Sequence, residues 1–201
     1  MNVFLIVDIQ NDFLPGGSLA VANGDKIIPL INRLQEKFDL VAATQDWHPK
    51  NHKSFASNHP NKVPFDQIML GSLEQVLWPD HCVQGSWGAE FSKEIKMDRV
   101  EAIFRKGMDP EIDSYSAFYD NGHKKSTGLA DYLRGRKTDK IFIAGLAKDF
   151  CVYYSAKDAL KEGFRIAVIE DASMPIDRRG SKEKMNEIIK LGAEVIRSDR
   201  L

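Results

Sequence analysis

Six short stretches along the chain are apolar in continuous runs rather than at every second position. They are Val3 to Val7, Leu40 to Ala43, Glu101 to Arg105, Lys140 to Ala144, Arg165 to Ile169 and Glu194 to Arg197. A strand with one wet face alternates apolar and polar residues, so continuous runs predict strands covered on both faces, as in a parallel sheet. The segments between them carry helical spacing. Asp25 to Phe38 places Ile27, Leu30, Ile31, Leu34 and Phe38 on one face, with Pro29 confined to the first turn or two. Ser126 can cap a helix running to Leu133 and stopping before Gly135, and another runs from about Asp149 to Glu162 and stops at Gly163. A last helix precedes Gly192. Strand and helix in alternation predict an α/β fold: a three-layer α/β/α sandwich around a six-stranded parallel sheet.

Two segments break the alternation. Residues from about 46 to 89 and from 107 to 125 are long, aromatic and rich in Pro, Gly, Asn and His. Connections of this length inside a compact domain are usually functional, and their Trp and Phe content argues against disorder. They read as active-site loops of a single domain spanning residues 1–201, since no repeat, low-complexity tract or linker interrupts the chain.

Composition narrows the function classes. A chain of 201 residues, 43% hydrophobic and 28% charged, suits a soluble globular domain with a well-filled core. A net charge of -1, with acids and bases interleaved, predicts neither nucleic acid nor an anionic membrane as partner. The run Val3 to Val7 is too short for a signal-peptide core, and no apolar window approaches the roughly 20 residues of a membrane span. Cys82 and Cys151, without a secretion signal, read as free thiols in a reducing cytoplasm. A homo-oligomer is compatible with all of this.

Ligands of an open parallel sheet bind beyond the carboxyl ends of the strands. The first run ends in Asp8, the second leads through Thr44-Gln45 to Asp46, the third ends at Arg105-Lys106, and the fourth leads through Gly145-Leu146-Ala147 to Cys151. A cysteine in a helix's first turn faces unpaired N–H groups and the positive dipole end, which favour thiolate, and a nearby lysine lowers its pKa further. The alternative for Cys151 is a small buried core residue. Asp8 can equally be a turn acid; beside a cysteine it gains a role as the base that takes the thiol proton and returns it to a leaving amine. Lys106 reads as a surface residue or as the partner of that acid. Asp46 and His48, two apart on an extended segment, point to one side, and His81 follows in Trp78-Pro79-Asp80-His81. One carboxylate and two imidazoles suit Zn, Mn or Fe better than Ca or Mg; each histidine taken alone is more often a polar loop residue. Phe13, Trp78 and Phe150 flank these points and could form a flat apolar slot.

Taken in order, six segments resemble one known group. They are Val7-Asp8-Ile9-Gln10-Asn11-Asp12-Phe13, Thr44-Gln45-Asp46-Trp47-His48-Pro49, Leu77-Trp78-Pro79-Asp80-His81-Cys82-Val83, Arg105-Lys106-Gly107, Tyr115-Ser116-Ala117-Phe118 and Gly145-Leu146-Ala147-Lys148-Asp149-Phe150-Cys151-Val152. The chain is similar to the nicotinamidase/pyrazinamidase group of the isochorismatase-like cysteine hydrolases, whose fold is Rossmann-like. The resemblance implies a catalytic triad of Asp8, Lys106 and Cys151, with Cys151 forming a thioester as ammonia leaves. It implies an oxyanion hole from the N–H groups of Ala147 and Cys151, and a cis peptide between Leu146 and Ala147. Asp46, His48 and His81 would bind one divalent metal, Zn first and Fe or Mn as alternatives, and Phe13, Trp78 and Tyr115 would line the pocket of a small aromatic amide. Some relatives place a fourth metal ligand where this chain has Ser54, with His52 close by, so water can take that position here. Lys148 stands where Thr is more usual. The implied activity is hydrolysis of nicotinamide, and of pyrazinamide, in cytoplasmic NAD salvage. The alternatives are a metal-independent amidohydrolase acting on a carbamoyl or ureido compound, and a catalytically silent binding module on the same fold.

Overall fold

The computed structural model describes all of residues 1–201. In chain order the strands are β1 (Asn2–Val7), β2 (Leu40–Asp46), β3 (Gln67–Leu70), β4 (Leu73–Val76), β5 (Val100–Lys106), β6 (Lys140–Leu146), β7 (Arg165–Met174) and β8 (Glu194–Ile196). The α-helices are α1 (Ile28–Leu34), α2 (Leu129–Gly135), α3 (Tyr153–Lys161) and α4 (Arg178–Lys190). Six strands form one parallel sheet in the order β5-β2-β1-β6-β7-β8. The six apolar runs are these six strands, and the three-layer sandwich is the observed architecture.

Burial on both faces explains the continuous patterning. Phe4 and Ile6 of β1 point into a core shared with Ile28, Ile31 and Leu34 of α1. Val3, Leu5 and Val7 point the other way, into a core built by Leu129 and Leu133 of α2, Ala156 and Ala159 of α3, and Met185 and Ile188 of α4. Pro29 sits at the start of α1, where its missing N–H would have had no partner.

The structure departs from the sequence reading in four places. The first helical segment is split into a 3-10 turn at Gly24–Ile27, α1, and a second 3-10 turn at Gln35–Lys37. Ser126 does not cap α2, which starts at Leu129 behind Gly128 and runs through Gly135; the Ser126 hydroxyl instead accepts the Gly128 N–H in the preceding turn. Residues 46 to 89 are not loop throughout, since β3 and β4 form an antiparallel hairpin there. Its two-residue turn, Gly71-Ser72, begins with glycine at φ +64°, the geometry that two-residue hairpins favour. Finally, Lys148–Val152 forms a wide turn in which Val152 N–H donates to Ala147 C=O, and α3 begins only after it.

The strand order changes direction at β1, with β2 and β5 on one side and β6 to β8 on the other. The switch point therefore lies between β1 and β6, and the carboxyl ends of β5, β2, β1 and β6 stand side by side. Gly145 sets how closely β1 and β6 approach there. It pairs with Val7, has φ +133°, and a Cβ added to it would lie 2.1 Å from the Val7 carbonyl oxygen. We expect Gly145→Ala to lower stability by about 2–4 kcal/mol, from strain and overpacking together. Chemical denaturation checks this; an unchanged midpoint would refute the close approach.

Candidate active site

Each strand end delivers one polar side chain. The chain leaves β1 through Asp8 at φ +50°, a left-handed conformation rare outside glycine and enriched in Asp and Asn. Its carboxylate is fully buried, and Oδ1 accepts a 2.7 Å hydrogen bond from the Thr44 hydroxyl of β2. Asp46 and Lys106 are register partners at the ends of β2 and β5. Lys106 Nζ stands 2.9 Å from Asp8 Oδ2 and 2.8 Å from Asp46 Oδ1, and also reaches the Ser114 carbonyl at 3.2 Å and Cys151 Sγ at 3.5 Å. Asp8, Asp46, Lys106 and Cys151 thus meet in one buried cluster across four strands.

The charges in this cluster are set by burial against pairing. Burial disfavours the Lys106 ammonium, but Asp46 and Asp8 outweigh it and raise its pKa well above 10.5. Burial likewise opposes ionisation of Asp46, and Lys106, then His48, overcome it and hold the carboxyl well below 3.8. For Asp8 burial prevails; Lys106 pulls back only in part, Asp46 adds to the rise, and the pKa ends above 3.8. Cys151 is the main correction to the sequence reading. Burial pushes its thiol well above 9.0, Lys106 offsets part of this, and Asp8 and Asp46 push further. Burial first, and then two acids beside one ammonium, therefore favour a neutral thiol over a preformed thiolate at Cys151, in the turn before α3.

The second cluster adjoins the first through Asp46. His48 Nδ1 donates to the Gly107 carbonyl at 2.9 Å, and His81 Nδ1 to the Pro79 carbonyl at 2.8 Å. In their neutral forms both rings therefore turn a bare Nε2 toward Asp46 Oδ2, at 3.3 and 3.7 Å. Burial lowers the His48 pKa, but the Asp46 carboxylate outweighs it and raises that pKa above 6.5. Gly107 makes the His48 contact possible: a Cβ there would lie 2.3 Å from the imidazole. Asp46, His48 and His81 are all buried and bring their ligand atoms within 4.8 Å of one another. His48 Nε2 has no hydrogen-bond partner. Backbone carbonyls fixing both tautomers, an orphaned imidazole nitrogen and a shared carboxylate are what a divalent metal site requires. Asp8 and Asp46 against Lys106 leave the pair of clusters one negative charge in excess, which a dication would reverse. Ser54 does not face this point; its hydroxyl and its N–H both contact His52 Nδ1, at 2.7 and 3.1 Å. Burial lowers the His52 pKa to about 4, so that ring is neutral.

A narrow cleft opens beside both clusters. Phe13, Leu19, Trp78, Tyr115, Phe150 and Ile176 form its apolar walls, while Asp46, His81, Asp113, Ala147 and Cys151 face it from below. Trp78 meets Phe150 edge-on at 5.0 Å and Tyr115 at 6.2 Å, and the Tyr115 hydroxyl accepts the Trp78 indole N–H and a Gln75 amide N–H. The peptide between Leu146 and Ala147 is cis. The Ala147 N–H donates to no protein oxygen, while its carbonyl takes the N–H groups of Phe150 and Val152. An electron-rich oxygen placed beside Cys151 would find a free donor there. Cys82 is fully buried core.

An isochorismatase domain model matches residues 2–200. The chain belongs to the isochorismatase family. It is 50% identical over 195 residues to the nicotinamidase of Acinetobacter baylyi, covering 96% of this chain and 91% of that one. The solved nicotinamidase/pyrazinamidase of Acinetobacter baumannii superposes with a TM-score of 0.96 at 48% identity, covering 100% of this chain and 98% of that one. A pyrazinamidase of Pyrococcus horikoshii, solved in complex with zinc, matches with a TM-score of 0.80 at 35% identity, covering 98% of each chain.

The structure brings all the candidate residues named from sequence to this one edge of the sheet. Sequence reasoning missed Thr44, Leu19, Gln75, Asp113, Ser114 and Ile176. Thr44 was the most accessible, a lone hydroxyl two residues before Asp46 in an apolar run; Gln75 and Asp113 gave no local signal, because each matters only once the hairpin folds over the cleft. The neutral thiol has a direct readout. Iodoacetamide alkylation of Cys151, with Cys151→Ala as blank, should follow a pH profile whose inflection lies above 9.0. An inflection near neutrality would mean that the thiolate is preformed.

Proposed function

We propose that the protein is a nicotinamidase that hydrolyses nicotinamide, and pyrazinamide with it, to the carboxylic acid and ammonia. The observation that carries the reading is the buried meeting of Asp8, Lys106 and Cys151, with Cys151 opening onto a cleft with aromatic walls. Its likeness to nicotinamidases along nearly the whole chain supports the same substrate.

In this reading Cys151 Sγ attacks the carboxamide carbon while the Asp8 carboxylate takes the thiol proton. The raised pKa of Asp8 and its place against the thiol suit that transfer. The N–H groups of Ala147 and Cys151 receive the developing negative oxygen. Asp8 returns the proton to the amide nitrogen, the C–N bond breaks, and ammonia leaves a thioester on Cys151. Water, deprotonated by Asp8, attacks the thioester and releases the acid and the thiol. Lys106 holds Asp8 in place and favours its ionised form against the burial that raises its pKa. Phe13, Trp78 and Tyr115, with Phe150, clamp the flat ring and exclude water. Asp46, His48 and His81 hold one divalent metal, zinc before iron or manganese, supported by the imidazole–carboxylate donor set. When bound, such an ion supplies a Lewis-acid contact for the ring nitrogen of the substrate. A metal-independent hydrolase of carbamoyl compounds would leave the paired Nε2 atoms of His48 and His81 without purpose. The reading includes a cytoplasmic place in NAD salvage, with which two free thiols agree.

The test is ammonia release from nicotinamide by the zinc-loaded protein. Cys151→Ala and Asp8→Asn should each lower kcat by about 10⁴-fold; activity within tenfold of wild type in Cys151→Ala would sink the mechanism, and none in the loaded wild type would sink the substrate. Asp8 must be ionised to act, so kcat/KM should fall as pH drops through its raised pKa. The acid limb is expected above 3.8; activity undiminished down to that pH would exclude Asp8 as the base.

A further inference from the structure

Beside the three proposed ligands lies a buried polar group that the reaction leaves unused. One ligand atom each from His48, His52 and Asp113 lie within 4.8 Å of one another, and all three residues are buried. His52 Nε2 has no hydrogen-bond partner at all. A backbone N–H can only donate, so the contact from the Ser54 N–H makes His52 Nδ1 an acceptor and puts the ring proton on Nε2. A protonated nitrogen cannot bind a metal. His52 is thus not a ligand in waiting but a buried donor without an acceptor.

Asp113 is the matching acceptor. Its Oδ1 takes the Ser114 N–H at 2.7 Å and its Oδ2 a Gln75 amide N–H at 3.0 Å, which pins the carboxylate and leaves each oxygen further accepting capacity. It faces the cleft together with Asp46, His81 and Cys151. His52 Nε2 has no partner and so makes no direct hydrogen bond to Asp113, while the two side chains bring ligand atoms within 4.8 Å of each other, close enough for a single water to join them.

We infer that His52 and Asp113 are positioning residues that seat a water on the open side of the Asp46–His48–His81 set. The water accepts from His52 Nε2–H, donates to Asp113, and turns its remaining lone pair to the metal. This rests on the metal site proposed above, and assigns the fourth position to water held by two side chains, one from each long loop.

Zinc affinity, measured by competition with a chromogenic chelator, tests it without reference to turnover. His52→Phe and Asp113→Asn should each weaken zinc binding by about 10- to 100-fold. The double variant should be no weaker than the worse single one, because both side chains hold the same water. His52→Gln, which keeps an N–H near the Nε2 position, should bind zinc close to wild type. In cobalt-substituted protein, His52→Phe and Asp113→Asn should intensify the visible bands as coordination number falls. Wild-type affinity and unchanged cobalt spectra in both variants would overturn the seat, as would losses that multiply in the double variant, or a loss in His52→Gln equal to that in His52→Phe. Circular dichroism of the metal-free proteins establishes folding; should His52→Phe not fold, Asp113→Asn and His52→Gln decide the matter. A wild type that binds zinc but releases no ammonia overturns the nicotinamidase reading and leaves the seat standing, whereas silent variants of an active zinc enzyme overturn the seat alone.

Discussion

An ammonium group without solvent holds the centre of this molecule together. Lys106 Nζ lies between Asp8 and Asp46, 2.9 and 2.8 Å away, and none of the three is more than a few per cent exposed. A buried ion pair seldom adds stability over an apolar substitute, but removing one member leaves an uncompensated charge at a cost of about 3–5 kcal/mol. The strands that carry the three residues, β1, β2 and β5, are neighbours in the sheet, and their ends are therefore fixed relative to one another by charge as well as by the ladder. That is a poor way to build a stable core and a good way to hold reacting groups to a fraction of an ångström.

The fold supplies this arrangement through its strand order. Because the order reverses at β1, the strand ends are not covered by crossing connections, and a cleft opens where β1 meets β6. Gly145 lets the two strands close on each other below the cleft, and the wide turn Lys148–Val152 then brings Cys151 back over Lys106. The long loops add what the sheet cannot: His48, His81, Trp78 and Tyr115 all come from residues outside it.

The inner strands β1, β2, β6 and β7 were legible in the sequence because double-sided burial leaves a mark that polar loops cannot imitate, whereas the edge strands β5 and β8, half exposed, were marked only by short apolar runs. Asp8, Asp46 and Lys106 were legible for the same reason, as charges ending apolar runs. The hairpin β3–β4 was not, because its outer face is open to solvent, Gln67, Met69 and Glu74 are exposed, and its apolar run Ile68 to Leu70 is short and sits inside a polar, Pro- and Asn-rich stretch. The ionisation of Cys151 was misread for a different reason. Position at a helix start is a local property, whereas the thiol's pKa depends first on its burial and then on how many buried acids share one lysine, and both are known only when β1, β2, β5 and the turn after β6 are placed together.

Asp46 makes the two clusters one system. Its Oδ1 faces Lys106 and its Oδ2 faces His48 and His81, so a single carboxylate divides its charge between the nucleophile's cluster and the imidazoles. A cation drawn to Oδ2 reduces what Oδ1 offers to Lys106, and the ammonium is then left more fully to Asp8. A stronger hold on Asp8 favours its ionised form, the form able to accept the Cys151 proton. A cation held at the imidazoles would therefore change the proton balance at Cys151 through one side chain at the end of β2, without touching the cysteine.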